Sequence, residues 1–206
     1  MIKAKHHIFI YPFFKWFTVR KLKSTFNKIE IIGTCKDENL PVLVIANHIS
    51  WWDGFWVMYL NMQKFHRKFY FMMLEEQLRK HWYFNFTGGY SVRKSSRSII
   101  DTLNYTAELL EHSPNMVLLF PQGRITSMHN QEIKFEAGVE RIIDLCSGRL
   151  QIVFVANIIE YLSHPKPSLY MHITSFSGEN TDKNTLEAEY NSFYQQAIQY
   201  HKTFSD

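Results

Sequence analysis

Val42-Leu43-Val44-Ile45-Ala46-Asn47-His48-Ile49-Ser50-Trp51-Trp52-Asp53-Gly54 is the stretch from which the fold is read. An apolar, β-branched run of strand length ends in Asn-His, and an aromatic-rich segment of helical length follows. A strand with so few polar side chains is expected where both faces of a sheet are covered. Asp53 is the only acid between Glu38 and Glu75. A histidine at a strand end with a carboxylate nearby suits general base catalysis. The imidazole takes a proton, and the carboxylate fixes its tautomer and stabilises the imidazolium. Taken alone, the same spacing also fits a structural histidine beside a helix-capping acid.

On either side of this stretch, strands and helices alternate. Lys28–Gly33 reads as a strand closed by glycine, and Asp37-Glu38-Asn39 as a turn. Ser50–Met62 reads as a helix that is apolar nearly all round, and so buried or against lipid. Trp51, Trp52, Phe55, Trp56 and Tyr59 on it either pack in the core or lie against lipid. Phe69–Met73 is a strand, Glu75–Tyr83 a short helix, and Phe84–Val92 a segment broken at Gly88-Gly89. Ser98–Glu111 is amphipathic, with Ile100, Leu103, Ala107 and Leu110 forming the stripe. Met116–Phe120, Ile152–Ala156 and Leu169–Ile173 are further strands, and Gly138–Cys146 is helical. Asn184–Lys202 closes the chain as a helix, with Asn184 and Glu187 at capping-box spacing.

This order predicts an α/β fold: a mainly parallel central sheet of about seven strands flanked by helices. At 206 residues the chain suits one domain, placed at 28–206 behind an N-terminal segment, 1–27. Sites in such sheets lie beyond the carboxyl ends of the strands. Asn47-His48 directly follows one buried strand, and Pro121-Gln122-Gly123-Arg124 directly follows another. If the two strands are parallel in one sheet, both segments share an edge of the molecule.

Phe120-Pro121-Gln122-Gly123-Arg124 has its own physical logic. Proline ends the strand because it lacks an amide hydrogen for the ladder. Glycine permits close backbone approach to a ligand, and Arg124 offers a fork of donors to an anionic or polar group. An ordinary strand-to-loop turn has the same composition.

Taken together, Asn-His-x-x-x-x-Asp after an apolar strand and a later Phe-Pro-x-Gly resemble the glycerophospholipid (lysophospholipid) acyltransferase family, 1-acylglycerol-3-phosphate acyltransferase-like. The resemblance covers about residues 28–160. Gly88-Gly89-Tyr90-Ser91-Val92-Arg93-Lys94 resembles the family's glycine-to-arginine block, and Phe135-Glu136-Ala137-Gly138 its Phe-Lys-x-Gly segment. Ile152–Ala156 is similar to the hydrophobic part of the late Val-Pro-Val block, with Phe154 at the proline position. The family's usual second motif is Phe-Pro-Glu-Gly-Thr-Arg. Here Gln122 stands for the acid, Arg124 for the threonine and Ile125 for the arginine, while Lys94 falls where the middle block has arginine.

The resemblance implies transfer of a fatty acyl group from an acyl thioester, on coenzyme A or acyl carrier protein, to a lipid hydroxyl, without a cofactor. It implies His48 as general base and Asp53 as the residue that orients it. Arg93, Lys94, Gln122, Gly123 and Arg124 would bind substrate, and a backbone amide near Gly123 would face the oxyanion. Ser91 lacks the G-x-S-x-G elbow of a nucleophile.

Charge and composition bound the partners. Net charge is only +4, which does not favour nucleic acid. Basic residues cluster early: Lys3, Lys5, Lys15, Arg20, Lys21, Lys23 and Lys28 all precede the first acid, Glu30. Ile8–Arg20 combines that charge with aromatic and apolar residues, as a segment at a lipid headgroup boundary would; a helix packed on the domain's own core is the alternative. Cys35 and Cys146 have no metal or redox spacing, and no apolar run reaches transmembrane length. The expectation is a peripheral protein on the cytoplasmic side of a membrane. Two other readings fit: the same chemistry on a non-phosphorylated lyso-aminolipid or glycolipid, or a non-catalytic lipid-binding protein.

Overall fold

Residues 1–93, 96–146 and 149–205 are described by a computed structural model. In chain order the elements are α1 (Ile10–Thr25), β1 (Ile29–Ile32), β2 (Val42–Ala46), α2 (Asp53–Lys64), β3 (Lys68–Leu74), α3 (Glu75–Lys80) and β4 (Gly89–Val92). They continue with α4 (Ser96–Leu109), β5 (Asn115–Leu119), α5 (Val139–Leu145), β6 (Gln151–Glu160), β7 (Ser168–Ser175) and α6 (Lys183–His201). A 3₁₀ turn, Trp82–Phe86, joins α3 to β4.

The strands form a 7-stranded sheet in the order β1-β7-β6-β2-β5-β3-β4, so β2 lies at its centre. Every neighbouring pair is parallel except β6–β7. The sheet is thus mainly parallel, with β1 and β7 running against the rest. The residues of β2 are fully buried and alternate between two cores. Leu43 and Ile45 join the cluster under α4, α5 and α6, while Val42, Val44 and Ala46 join the one under α1 and α2. This two-sided cover is why the strand reads as a continuous apolar run.

Residues 1–27 pack on the sheet. Gly88 N donates to Lys5 O at 2.9 Å, Ile2 N donates to Ser91 Oγ at 2.7 Å, and Leu22 and Phe26 are buried. Pro12 falls in the first turn of α1, where its missing amide costs no helical hydrogen bond, so the helix runs through it. Phe14, Phe17 and Leu22 pack inward, while Phe9, Phe13 and Trp16 are 76%, 53% and 57% exposed. The segment is therefore apolar on two faces. Among the described residues, no helix is long and apolar enough to cross a membrane.

The start of α6 and the end of β6 differ from expectation. The cap of α6 is Asp182, whose Oδ1 accepts from Asn184 N at 2.8 Å and Thr185 N at 3.2 Å. Asn184 already lies inside the helix, and Glu187 accepts from Phe135 N at 2.7 Å instead of closing a capping box. Strand β6 runs on to Glu160, past the polar Asn157, because β7 pairs with it along that length.

Candidate active site

Strands β2, β5, β3 and β4 are mutually parallel, so Asn47-His48, Pro121-Gln122-Gly123-Arg124 and Arg93 all emerge at one edge of the sheet. At the end of β2 the Asn47 side chain continues the ladder in place of backbone. Its Nδ2 donates to Asn157 O at 2.9 Å, and its Oδ1 accepts from Asn157 N at 2.8 Å. The chain then turns sharply, and a single oxygen holds the turn. Asp53 Oδ2 accepts from Ile49 N at 2.7 Å, Ser50 N at 2.9 Å and His48 Nδ1 at 2.8 Å. A ring nitrogen that donates to a carboxylate is protonated, which leaves the lone pair on Nε2. Among the described residues, Nε2 meets no hydrogen-bond partner, and the ring is partly open to solvent. Asp53 is fully buried. Burial raises its pKa above the ordinary 3.8, against the opposing pull of its His48, Ser50 and Ile49 hydrogen bonds.

The second segment braces the first. The Phe120 ring stacks on the His48 imidazole at 3.9 Å between centroids and 6° between planes. Gln122 Oε1 accepts from His48 N at 2.6 Å, Gln122 Nε2 donates to Thr126 Oγ1 at 2.6 Å, and Thr126 N donates to His48 O at 2.9 Å. The imidazole is therefore held at its plane, at Nδ1 and by its backbone. Gly123 has φ +61°, a left-handed turn suited to glycine, and its amide donates inward to Phe120 O at 3.1 Å. That amide is committed to the turn. Gln122 is buried and spends its amide on the loop, while Arg124 is exposed beside it.

Arg93 follows β4, three strands from β2, or roughly 14 Å away at the usual strand spacing. Glu75 clamps it: Arg93 Nε donates to Oε2 at 2.7 Å and Arg93 Nη2 to Oε1 at 2.8 Å, with Arg79 Nη2 also on Oε1 at 2.8 Å. The Arg93 and Arg79 guanidiniums hold the Glu75 pKa down at about 2. Lys94 lies outside the described residues. Ser91 is fully buried, and its hydroxyl accepts from Ile2 N and donates to Glu75, so it is no nucleophile. Along the aromatic helix, Phe55 and Trp56 are core residues, whereas Trp51 is 43% exposed near the site.

Sequence reasoning missed Thr126, the stacking of Phe120, the Glu75 clamp and the ladder role of Asn47. Each is a contact between segments distant in the chain or a use of a side chain as backbone. Only Glu75 left a trace, as the first acid after Asp53.

No curated protein matches the chain. Among solved structures, the crystal structure of the 1-acyl-sn-glycerophosphate (LPA) acyltransferase PlsC from Thermotoga maritima is similar in fold. Its TM-score is 0.61 at 15% identity, over 94% of this chain and 81% of that one. The family model described as Acyltransferase matches residues 23–158, which include both edge segments and the clamp; the chain belongs to the Acyltransferase family.

Proposed function

We propose that the protein moves a fatty acyl group from an acyl thioester, on coenzyme A or acyl carrier protein, to a hydroxyl of a lysophospholipid or related lipid, a step of phospholipid or lipid biosynthesis. The observation that carries this reading is the His48–Asp53 pair at 2.8 Å, braced by the Phe-Pro-Gln-Gly segment. His48 Nε2 accepts the hydroxyl proton as the acceptor oxygen attacks the thioester carbonyl. The tetrahedral intermediate expels the thiolate, which takes the proton from the imidazolium, so the base is regenerated. Base catalysis of this kind typically contributes about 10²–10⁴-fold. Arg124, exposed beside the dyad, is suited to an anionic part of either substrate. Arg93, at the far end of the same edge, is assigned to substrate binding together with Lys94, and Gln122 and Gly123 to shaping the loop that carries Arg124.

Phe9, Phe13 and Trp16, flanked by Arg20 and Lys23, are read as the surface that docks on anionic lipid from one side of the membrane. The enzymatic reading is tested by thioester consumption with a lysolipid acceptor. His48→Ala is expected to abolish it while unfolding remains cooperative, and retained turnover refutes the assignment. The docking reading is tested by vesicle flotation: Phe9, Phe13 and Trp16 changed together to Ser should lose binding to anionic vesicles. Undiminished binding removes that surface from the account.

A further inference from the structure

Two cation sites lie along the catalytic edge. Arg124 follows β5, the strand next to β2, and stands beside the dyad. The other site is built around Glu75, at the end of β3, whose side chain is only 8% exposed. Glu75 Oε2 accepts from Arg93 Nε at 2.7 Å and from Ser91 Oγ at 3.2 Å. Its Oε1 accepts from Arg93 Nη2 at 2.8 Å, Arg79 Nη2 at 2.8 Å and Arg79 Nε at 3.1 Å. Ser91 is fixed in turn by Ile2 N, at 2.7 Å. Arg93 lies in the glycine-to-arginine block, whereas Arg79 belongs to no motif of the sequence.

One carboxylate therefore holds two guanidiniums, and a positive charge is left over. Glu75 engages the Nε–Nη2 edge of each fork. Among the described residues neither Nη1 has a partner, and the Arg79 and Arg93 side chains are 64% and 57% exposed. The other charges of α3, Glu76 and Lys80, are both exposed and cancel formally; they lie one position round the helix from the Glu75–Arg79 row. Two pinned guanidiniums with open edges match the geometry of a phosphate group.

Reach decides which phosphate. Glu75 follows β3 and Arg93 follows β4, two and three strands from β2, so the cluster lies roughly 10–14 Å from the strand that presents His48. In a lysophospholipid about four bonds separate the free hydroxyl oxygen from phosphorus, or about 5 Å at the roughly 1.2 Å that each bond of an extended chain advances. With its hydroxyl on His48, such an acceptor spans the gap only when stretched straight along the sheet edge, and Arg124 is the nearer cation. In a pantetheine thioester about thirteen bonds separate sulfur from the phosphorus at the far end of the arm, or about 15 Å. That arm covers the distance with slack to bend. We propose that Arg79 and Arg93 together bind the phosphate of the donor's phosphopantetheine arm, the group that coenzyme A and acyl carrier protein share. The inference rests on the acyl-transfer reading above. It separates the two substrates along the edge, with the acceptor on the Arg124 side of the dyad and the donor arm running toward β4.

Wild type, Arg79→Gln and Arg79→Lys are assayed with one lysolipid acceptor and three donors: acyl-coenzyme A, acyl-acyl carrier protein, and acyl-pantetheine, which lacks the phosphate. Arg79→Gln leaves Glu75 bonded to Arg93 and Ser91, so the fold should be kept. It should raise the KM of a phosphate-bearing donor about tenfold relative to that of acyl-pantetheine, the scale of one charge-assisted contact. Arg79→Lys, which keeps the charge and loses the fork, should recover part of that loss. Whichever phosphate-bearing donor responds identifies the carrier. Arg93→Gln repeats the comparison from the other half of the clamp and carries it if Arg79→Gln does not fold. Calorimetry with coenzyme A and with the phosphopantetheine form of the carrier protein should show the same weakening without turnover. A rise in acceptor KM with donor KM unmoved, or an equal rise with acyl-pantetheine, overturns the inference and leaves the acyl-transfer reading standing. Absence of His48-dependent consumption of every donor overturns the acyl-transfer reading. The phosphate site then stands or falls on the calorimetry: binding that is the same in wild type and Arg79→Gln removes it.

Discussion

Asp53→Asn removes a charge from the dyad and little else. In the wild type, Oδ2 accepts three N–H groups and Oδ1 has no partner. An asparagine can place its oxygen where Oδ2 was and its nitrogen where Oδ1 was, so the turn is kept and no new orphan group is created. What disappears is the negative charge facing the imidazolium that forms during transfer. With Nδ1 and Oδ2 at 2.8 Å, the charge centres are roughly 4 Å apart. At an effective dielectric of about 20 their attraction is about 4 kcal/mol, which corresponds to a rate loss on the order of 10³-fold. Stability should move the other way. Burial raises the Asp53 pKa, so the folded protein binds that proton more tightly than the unfolded chain. Ionisation of Asp53 therefore costs stability as pH rises through its folded pKa, and the asparagine variant is spared that cost. At pH 7 the variant should be no less stable than wild type. Any advantage it has should fade as acid protonates Asp53 in the wild type. Thiol release from the acyl thioester measures the rate, and urea unfolding across pH measures stability. An unchanged kcat refutes the argument and reduces Asp53 to a cap, while a large loss of stability at an unchanged rate would make its role purely structural.

Asn47→Ala deletes the side chain that stands in for a strand. The N–H and C=O of the buried Asn157 lose their partners, at about 1–3 kcal/mol each, so denaturant unfolding should show a loss of roughly 2–6 kcal/mol. A loss below about 1 kcal/mol would mean that water replaces the amide. Glu75→Gln should change the acid limb of the stability curve. The Glu75 pKa is held at about 2 in the fold, against 4.5 ordinarily, so its contribution is present above pH 4.5 and is lost as pH falls toward 2. The variant should show a flatter decline over that range. An unaltered acid limb would show that the clamp on Arg93 adds nothing to the fold.

Legibility followed the range of the interaction. β2 could be read because burial on both faces writes an uninterrupted apolar run, and His48 with Asp53 could be read because a tight turn brings near neighbours in sequence together. Gln122 shows the opposite case. From its place in the Phe-Pro-Gln-Gly motif it reads as a substrate ligand, but its amide reaches across the sheet edge to His48 N and Thr126 Oγ1. Arg93 reads as a free cation, yet its partner Glu75 comes from the end of a different strand. Asn157 is the sharpest case. A polar residue after Ile152–Ala156 signals the end of a strand, and for β2's side of the sheet that is correct, because pairing with β2 stops at Val155. On its other side β7 continues to pair, so β6 does not stop. Asn47 then supplies the hydrogen bonds that β2 no longer offers. The polar residue that looked like a terminator marks where one strand outlasts its neighbour. Beyond that point β6 keeps β7 on one side and meets only the Asn47 side chain on the other.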